Sequence, residues 1–453
     1  MQARADRLID LAVCLRPFRA QGPRIEAQSL HGKTVIHNYG HGGCGWSLSW
    51  GAAQQAVKLA RAAGARQLAV VGCGAIGLTT ARVAQDAGLR VRIYTADLPI
   101  DSGSSAATGV WSPSSRLCVD EHATPAFQRQ WEAMARWSFH RFQALLGLAG
   151  DPVQWRDGYV LSDQPFGQPM PHAPEGAGEP DYADLMDQLD DITPDSVPLT
   201  AAQHPFAVPH VRRYTQLVFN LPAYARLLMD DFLRRGGNLV MRRFEHPRQW
   251  AALPERTLVN ATGYGARALL GDTSIIPVRG QTARLIPQAG VDYSIVWRGH
   301  NLQAVTRRDG ILVQAQAVGD YGNADTRPDR AASLAAVKLA RRDQWRRERL
   351  VASIRRVLGD TNGGPDAHNA ASAGSIAIEA SFELGVMHVA QALWTRLGIG
   401  EAILAQVEAK QLQAPHAAAL LAMVAQRLDQ PGSKLACHER WLARVWLPEA
   451  HQL

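Results

Sequence analysis

Residues 70–77 read Val70-Val71-Gly72-Cys73-Gly74-Ala75-Ile76-Gly77, the spacing G-x-G-x-x-G. A short apolar strand, Gln67 to Val71, runs into it, and a helical pattern from Gly77 to Ala87 runs out of it. Leu89 to Tyr94 then alternates as a second strand, so residues 67–98 form a β-α-β unit. Each glycine answers a physical need. Gly72 permits the tight turn, Gly74 lets the backbone approach a pyrophosphate, and Gly77 brings helix and strand close. The helix N-terminus then offers unpaired N–H groups and positive dipole to phosphates, with Ala75 and Ile76 of the motif as further candidate cofactor contacts. This setting predicts a dinucleotide site rather than a merely glycine-rich turn. For the ribose hydroxyls an acid is expected at the end of the second strand. Thr95 holds that position and Asp97 follows two residues later, so Asp97 either serves there or faces solvent. The motif alone does not separate FAD from NAD.

The 453 residues allow two or three domains, and 46% hydrophobic with 20% charged residues is ordinary globular composition. The net charge of +7 raises the question of nucleic acid, but the arginines are scattered. The densest basic run, Arg341 to Arg356, alternates with apolar residues at helical spacing and reads as a solvated helix face. Five dispersed cysteines without CxxC fit reduced thiols in the cytoplasm better than a disulfide framework or a metal site. No apolar run approaches the roughly 20 residues that span a bilayer, and the first residues lack a signal-peptide core. The expectation is a soluble, cytoplasmic protein without a bound metal.

Outward from the motif, residues 1–60 read as a helix end, a strand and a glycine-rich turn (Tyr39 to Gly45), leading into a helix from about Ser49 to Ala63. Residues 122–148 predict a long amphipathic helix, and 164–198 a surface excursion rich in Pro, Gly and Asp. A helix (221–236), strands near 238–242, 257–261, 282–286 and 310–316, and a helix over 331–358 follow. The fold class is therefore α/β: a Rossmann-type dinucleotide domain interleaved with a mixed-sheet substrate domain, and an all-α tail. Residues 361–374 have linker composition. Beyond them Phe382, Val386, Val389, Leu393 and Leu397 mark one helix face, Leu420, Leu421, Val424 and Leu428 a second, and Trp441, Leu442, Val445 and Trp446 a third.

The glycine motif is followed by Ser104-Ser105-Ala106-Ala107-Thr108-Gly109-Val110-Trp111-Ser112-Pro113, and later by Val259-Asn260-Ala261-Thr262-Gly263 and Pro277-Val278-Arg279-Gly280-Gln281. Before it stands His37-Asn38-Tyr39-Gly40-His41-Gly42-Gly43-Cys44-Gly45-Trp46, with Trp50-Gly51 after that stretch and Cys14-Leu15-Arg16-Pro17 and Gly22-Pro23-Arg24-Ile25 ahead of it. Together these stretches resemble the D-amino-acid oxidase and D-aspartate oxidase family, the His37–Trp46 signature being the most specific match. In the family that signature closes the chain. Here it precedes the glycine motif, so the resemblance implies a circular permutation in which the family's last segment (1–66) runs into its first strand and the 67–360 region. Surface termini that lie close together tolerate such a joint.

The resemblance implies FAD as cofactor, with its pyrophosphate at Gly72–Gly77 and further contacts from Asp97, Ser104, Ser105, Ala107, Gly109, Val110, Thr262 and Gly263. Gly42, Gly43, Gly45, Trp46 and Ser47 would approach the ring, where backbone amides stabilise charge on a reduced flavin. Arg16 matches the arginine that holds the substrate carboxylate, a role suited to a planar guanidinium, and the Gly43 carbonyl would accept from the amine. The implied reaction is oxidation of a D-amino acid: hydride passes from Cα to flavin, the imino acid hydrolyses to a 2-oxo acid and ammonia, and oxygen is reduced to peroxide. Catalysis would be mainly positioning. His37 and His41 read as packing rather than a metal pair, and Cys44 as a small filler.

The family's active-site tyrosines are absent from Trp297 to Thr306, where His300 and Gln303 stand nearest and are the expected site residues. Arg298 or Arg307 would supply a second anionic contact for an acidic substrate. The partners implied are an amino acid, oxygen and a second copy of the chain, not nucleic acid or a membrane. Residues 375–453, with Gly385 to Ile399, Asp429 to Lys434 and Trp441 to Pro448, resemble the N-terminal helices of a DDE-type insertion-sequence transposase without its acidic triad, which implies a fused remnant. The competing readings are a chimeric flavoprotein without turnover, a DNA-interacting remnant led by the tail, and an NAD-dependent dehydrogenase.

Overall fold

The computed structural model describes residues 1–168, 178–315, 319–340, 394–409 and 416–429. The chain divides into two compact units, Met1–Asp360 and Thr361–Leu453. In the first, β1 (Leu8–Arg19), β2 (Arg24–Leu30) and β3 (Lys33–Tyr39) lead to α1 (Gly45–Ala62), then β4 (Gln67–Val71), α2 (Ala75–Asp86) and β5 (Arg90–Thr95). After α3 (Pro125–Gln143) come β6 (Val153–Ser162), β7 (Val197–Leu199), β8 (His210–Phe219), α4 (Leu221–Arg234), β9 (Asn238–Met241) and β10 (Thr257–Asn260). The unit continues with α5 (Ala266–Leu270), β11 (Ile275–Leu285), β12 (Ser294–Trp297), β13 (Leu302–Arg307), β14 (Gly310–Ala315) and α6 (Arg330–Leu339).

Two sheets share these strands. One has the order β2-β3-β10-β4-β5-β9, parallel from β3 to β9, with β2 antiparallel at its edge. Parallel strands need both faces covered. Leu68, Val70, Ile93 and Val259 meet a helical layer that includes Leu48 and Ala56 of α1, Leu78 of α2 and Trp131 of α3, while Val71 and Leu258 pack with Trp250 on the other face. The second sheet is mixed, with the order β1-β11-β14-β13-β12-β6-β8-β7. This is the α/β Rossmann-type and mixed-sheet architecture expected.

Three local expectations change. The N-terminal stretch is not a helix end and one strand but three strands. β1 pairs with β11 from Leu8↔Leu285 to Arg19↔Ile275, so its backbone groups are satisfied by a ladder rather than locally. Residues 164–198 are not all surface, because Ala183, Leu185 and Leu189 are buried in the helical core. Helix α1 starts earlier than Ser49, with Leu48 N–H donating to the Cys44 carbonyl at 2.9 Å.

The second unit contributes α7 (Ile399–Ala409) and α8 (His416–Asp429), so the described part of the tail is helical. On α8, Leu421, Ala422 and Ala425 are buried, whereas Leu420 and Val424 are exposed. The linker, the third helix face and the part of the first before Leu397 lie outside the described residues, as does the basic run 341–356. No helix among the described residues is long and apolar enough to cross a membrane.

Candidate functional site

β4 delivers the chain to Gly72, whose φ of 107° lies in the left-handed region. A Cβ there would strike the Ala261 carbonyl at the end of β10, so the turn is held to glycine by both conformation and space. Gly74 then caps α2. The Ser104 hydroxyl accepts from Ala75 N–H at 3.1 Å, which ties the 104–108 segment to the helix start. Gly77 packs one turn further along α2 against the Gly72 carbonyl, behind the turn rather than in front of it.

In front of the turn runs one cavity of about 520 Å³. Gly72, Gly74, Ala75 and Ile76 line one end, and Thr262 and Gly263 face them from the end of β10. Asp97 lies at the rim, about half exposed, with its carboxylate 3.5 Å from Arg243. Ser104 and Ala107 line the middle. At the far end stand Gly42, Gly43, Gly45 and Trp46 together with Arg16 and Gln314. Residues some 250 positions apart in sequence thus converge because β1 and β3 join sheets built mainly from later strands.

The glycine turn between β3 and α1 uses some of its own amides. Gly42 N–H donates to the Pro17 carbonyl at 2.9 Å and Gly43 N–H to the Ser115 carbonyl at 3.0 Å. The N–H groups left facing the cavity are those of Gly45 and Trp46 in the first turn of α1, which helix geometry leaves without an intrahelical partner. Ser47 itself does not line the cavity; its hydroxyl accepts from Ser112 N–H at 2.8 Å and so pins the 110–112 segment.

Arg16 is placed by β1, and its Nη1 donates to the Arg279 carbonyl at 3.0 Å. The neighbouring strand has Gly280 beside it, where a Cβ would sit 2.5 Å from Arg16 Nη1. Among the described residues no carboxylate lies within ion-pairing distance of this guanidinium. A planar cation with open donor positions facing a cleft is suited to bidentate capture of a carboxylate.

Residues 67–371 match the sequence model of a family described as FAD dependent oxidoreductase. The match takes in more than half of the chain. The chain belongs to this FAD-dependent oxidoreductase family. A D-amino-acid oxidase of Rubrobacter xylanophilus is 26% identical over 277 residues, 59% of this chain and 74% of that protein. A D-amino-acid oxidase of Dictyostelium discoideum is 26% identical over 272 residues, 58% of this chain and 69% of that protein. A D-aspartate oxidase of Cryptococcus neoformans is 52% identical over 54 residues, 12% of this chain and 14% of that protein.

The cofactor of the family is FAD, and the cleft fits it. A Cβ at Gly74 would sit 2.8 Å from Ser104 Oγ, so glycine is what lets the 104–108 segment close on the turn. The first turn of α2 points donors at the same place. FAD laid along the cleft would have its pyrophosphate at Gly72–Ile76 and its ring at Gly42–Trp46, on opposite sides of Ser104 and Ala107.

Other expected residues fall outside the cleft. His300 sits in the turn after β12, packs at a tilt against Trp297 with ring centroids 4.3 Å apart, and pairs with Asp163 at 2.9 Å. Gln303 does not line the cavity either. Its cross-strand partner Gln314, buried and missed by the sequence reading, does. Ser105 donates to the Ser102 carbonyl, while Gly109 and Val110 pair with the end of β8 behind the cleft. Arg307 is no free anion site: it forks onto Asp309 at 2.6 and 2.8 Å and donates to the Ala107 carbonyl at 2.9 Å. Arg298 lies over the Phe166 ring.

Two tyrosines pack near β1, outside the lining of the cleft. Tyr321 bridges Val278, the cross-strand partner of Arg16, and Tyr182 packs edge-on against Phe18 at 5.1 Å. Neither lies in a motif, so no local signal marks them. His37 on β3 and His41 in the glycine turn are both buried. Burial holds His37 down to about 4 and His41 to about 3, so both are neutral, and no metal-binding cluster exists among the described residues. Burial likewise pushes the Cys44 thiol up, which leaves it an inert filler whose Sγ donates to the His41 carbonyl.

Proposed function

We propose that this flavoprotein oxidatively deaminates D-amino acids. The observation that carries the reading is the Arg16 guanidinium, which has no carboxylate partner among the described residues and lies in the same cleft as the dinucleotide turn. Arg16 would grip the substrate carboxylate through its fork, and the Gly43 carbonyl would accept from the substrate ammonium. Two such anchors on one Cα leave its hydrogen a single orientation. FAD, when bound, would supply the two-electron acceptor for the hydride leaving Cα; oxygen would take up the two electrons with two protons as hydrogen peroxide. The substrate nitrogen loses a proton as the carbon–nitrogen double bond forms, and water then releases ammonia and a 2-oxo acid. Charge on the ring end is met by the first-turn amides of α1. The names of the relatives, D-amino-acid oxidases in two organisms, support this reading.

The same proposal includes a permuted chain. Residues 1–66 lie outside the matched region 67–371, yet they supply an edge strand to one sheet, two strands to the other, and Arg16. Residues 67–360 carry the rest of the oxidase fold. We read 361–374 as a linker and 375–453 as a transposase-like remnant without a catalytic role. The described cysteines are free and buried, in keeping with action in the cytoplasm.

Purified protein tests the reading. A yellow flavin spectrum bleached anaerobically by a D-amino acid, in the full chain and after removal of 361–453, is the expected result. A flavin untouched by D-amino acids, glycine and sarcosine would sink it.

A further inference from the structure

We propose that Gln314 reads the substrate side chain, and that the preferred substrates are D-amino acids whose side chain carries a neutral hydrogen-bonding group such as an amide. The inference rests on the substrate reading above and adds a third anchor to Arg16 and the Gly43 carbonyl.

Strand register puts Gln314 and Arg16 on one face of the mixed sheet. Leu11 of β1 pairs with Ala283 of β11, and Ala283 pairs with Val313 of β14. These three belong to one apolar core cluster. Successive side chains alternate between faces, so Cys14, Arg16 and Gln314 turn to the other face, where all three line the cleft. β11 runs between β1 and β14, and on the cleft face it carries Gly280, over which the Arg16 guanidinium lies. Gln314 stands level with Thr282, one strand spacing across and two residues along from Gly280, a backbone separation of about 8 Å. Position 280 has no side chain to fill the interval.

The Gln314 amide has no partner within the protein. The residue is 9% exposed, and neither its cross-strand neighbour Gln303 nor any other described residue hydrogen-bonds to its side chain. Buried polar groups are nearly always paired, because leaving one unpaired is costly. This amide opens on the cleft, so its partner comes from what the cleft holds. A group that shares the sheet face with Arg16 lies on the substrate's side of the ring end. The polar edge of the ring is met instead by the first-turn amides of α1.

A carboxamide offers two donors and one acceptor, so it complements another amide or a hydroxyl in either sense. An apolar side chain of the same shape would bury it unpaired, and a site built to hydrogen-bond a group rejects the analogue that lacks it. A D-amino acid held at its carboxylate and its amine has only the side chain left to reach Gln314.

The test compares D-asparagine with D-leucine, which match in shape and differ in the amide, on FAD-loaded full-length enzyme. The wild type should favour D-asparagine in kcat/KM by about tenfold or more, and Gln314→Met should cut that ratio by about as much. Gln314→Leu serves the same comparison should Gln314→Met be recovered without flavin. Gln303→Met, one strand away and outside the cleft, should leave the ratio where it was. Equal use of the two substrates by the wild type, a preference for D-leucine, or a ratio unmoved by the Gln314 variants overturns the inference while leaving D-amino-acid oxidation standing. A shift in Gln303→Met equal to that in Gln314→Met overturns it too. Should no amino acid reduce the flavin, titrations with succinamate and 4-methylpentanoate, the same two skeletons without the amine, followed by flavin absorbance still decide. Tighter succinamate binding that is lost in Gln314→Met upholds the amide site and rejects only the substrate reading; equal binding of the two acids rejects the site.

Discussion

Arg16 lies across Gly280, so close that a Cβ at position 280 would stand 2.5 Å from its Nη1. The two residues sit on adjacent antiparallel strands, and the glycine leaves the hollow in which the guanidinium rests while it donates to the Arg279 carbonyl. Gly280→Ala should therefore fold and bind flavin, because the far end of a flexible side chain is what must move. Displacing the fork by about 1 Å should cost on the order of 100-fold in kcat/KM. Steady-state kinetics with flavin content as control checks this, and unchanged kinetics would remove Arg16 from the substrate site.

Direct substitution gives a second measure. Arg16→Lys keeps the charge but loses the planar fork, and Arg16→Met loses both. Losing a charge-assisted hydrogen bond costs about 1.5–3 kcal/mol. Arg16→Met should accordingly drop kcat/KM by roughly ten- to a hundredfold or more, with Arg16→Lys in between and both retaining the flavin spectrum.

The glycine motif, its β-α-β setting and the segment around Ser104 were legible because their spacing is local and each residue answers to backbone geometry. Arg16, Gly43 and Trp46 could be named only through resemblance, since nothing nearby in sequence says that β1 would join β11. Gln314 was not legible for the same reason: its cross-strand partner sets its surroundings. His300 and Gln303 misled because closeness along β12 and β13 is not closeness to the cleft. One strand step separates Gln303 from Gln314, and that step decides which amide reaches the cavity.

Arg307 should behave as a clamp rather than a substrate group. Its fork onto Asp309 is buried, and its bond to the Ala107 carbonyl holds a wall of the flavin cleft. Breaking a buried pair by removing one partner costs about 3–5 kcal/mol. Arg307→Met should lower the thermal midpoint and weaken FAD binding, measured by fluorescence on titration. It should not change the ratio of acidic to neutral substrates among the molecules that remain loaded.

Acid should destabilise β3 and the glycine turn that follows it through His37 and His41. In the unfolded chain an imidazole takes up a proton as pH falls through about 6.5. In the folded chain His37 waits until about 4 and His41 until about 3, because burial disfavours the charge. Between these limits the unfolded state binds more protons, so stability is full above about 6.5 and is lost as pH falls toward 4 and then 3. Thermal midpoints of His41→Asn should fall less steeply over that window than those of the parent. Parallel slopes would show that carboxylates alone carry the acid response.

The dinucleotide turn makes the most severe prediction. Gly72→Ala meets two obstacles at once, a φ of 107° and a Cβ driven into the Ala261 carbonyl, and backbone on both sides leaves nothing flexible to yield. Strained backbone of this kind costs about 1–3 kcal/mol before any clash is counted. The variant should be recovered without flavin and with a lowered thermal midpoint. Ser104→Ala, which removes only the hydroxyl accepting from Ala75 N–H, should lose about 1 kcal/mol and keep a weakened yellow complex. Flavin retention in Gly72→Ala equal to that in Ser104→Ala would mean that the turn is not where the pyrophosphate binds.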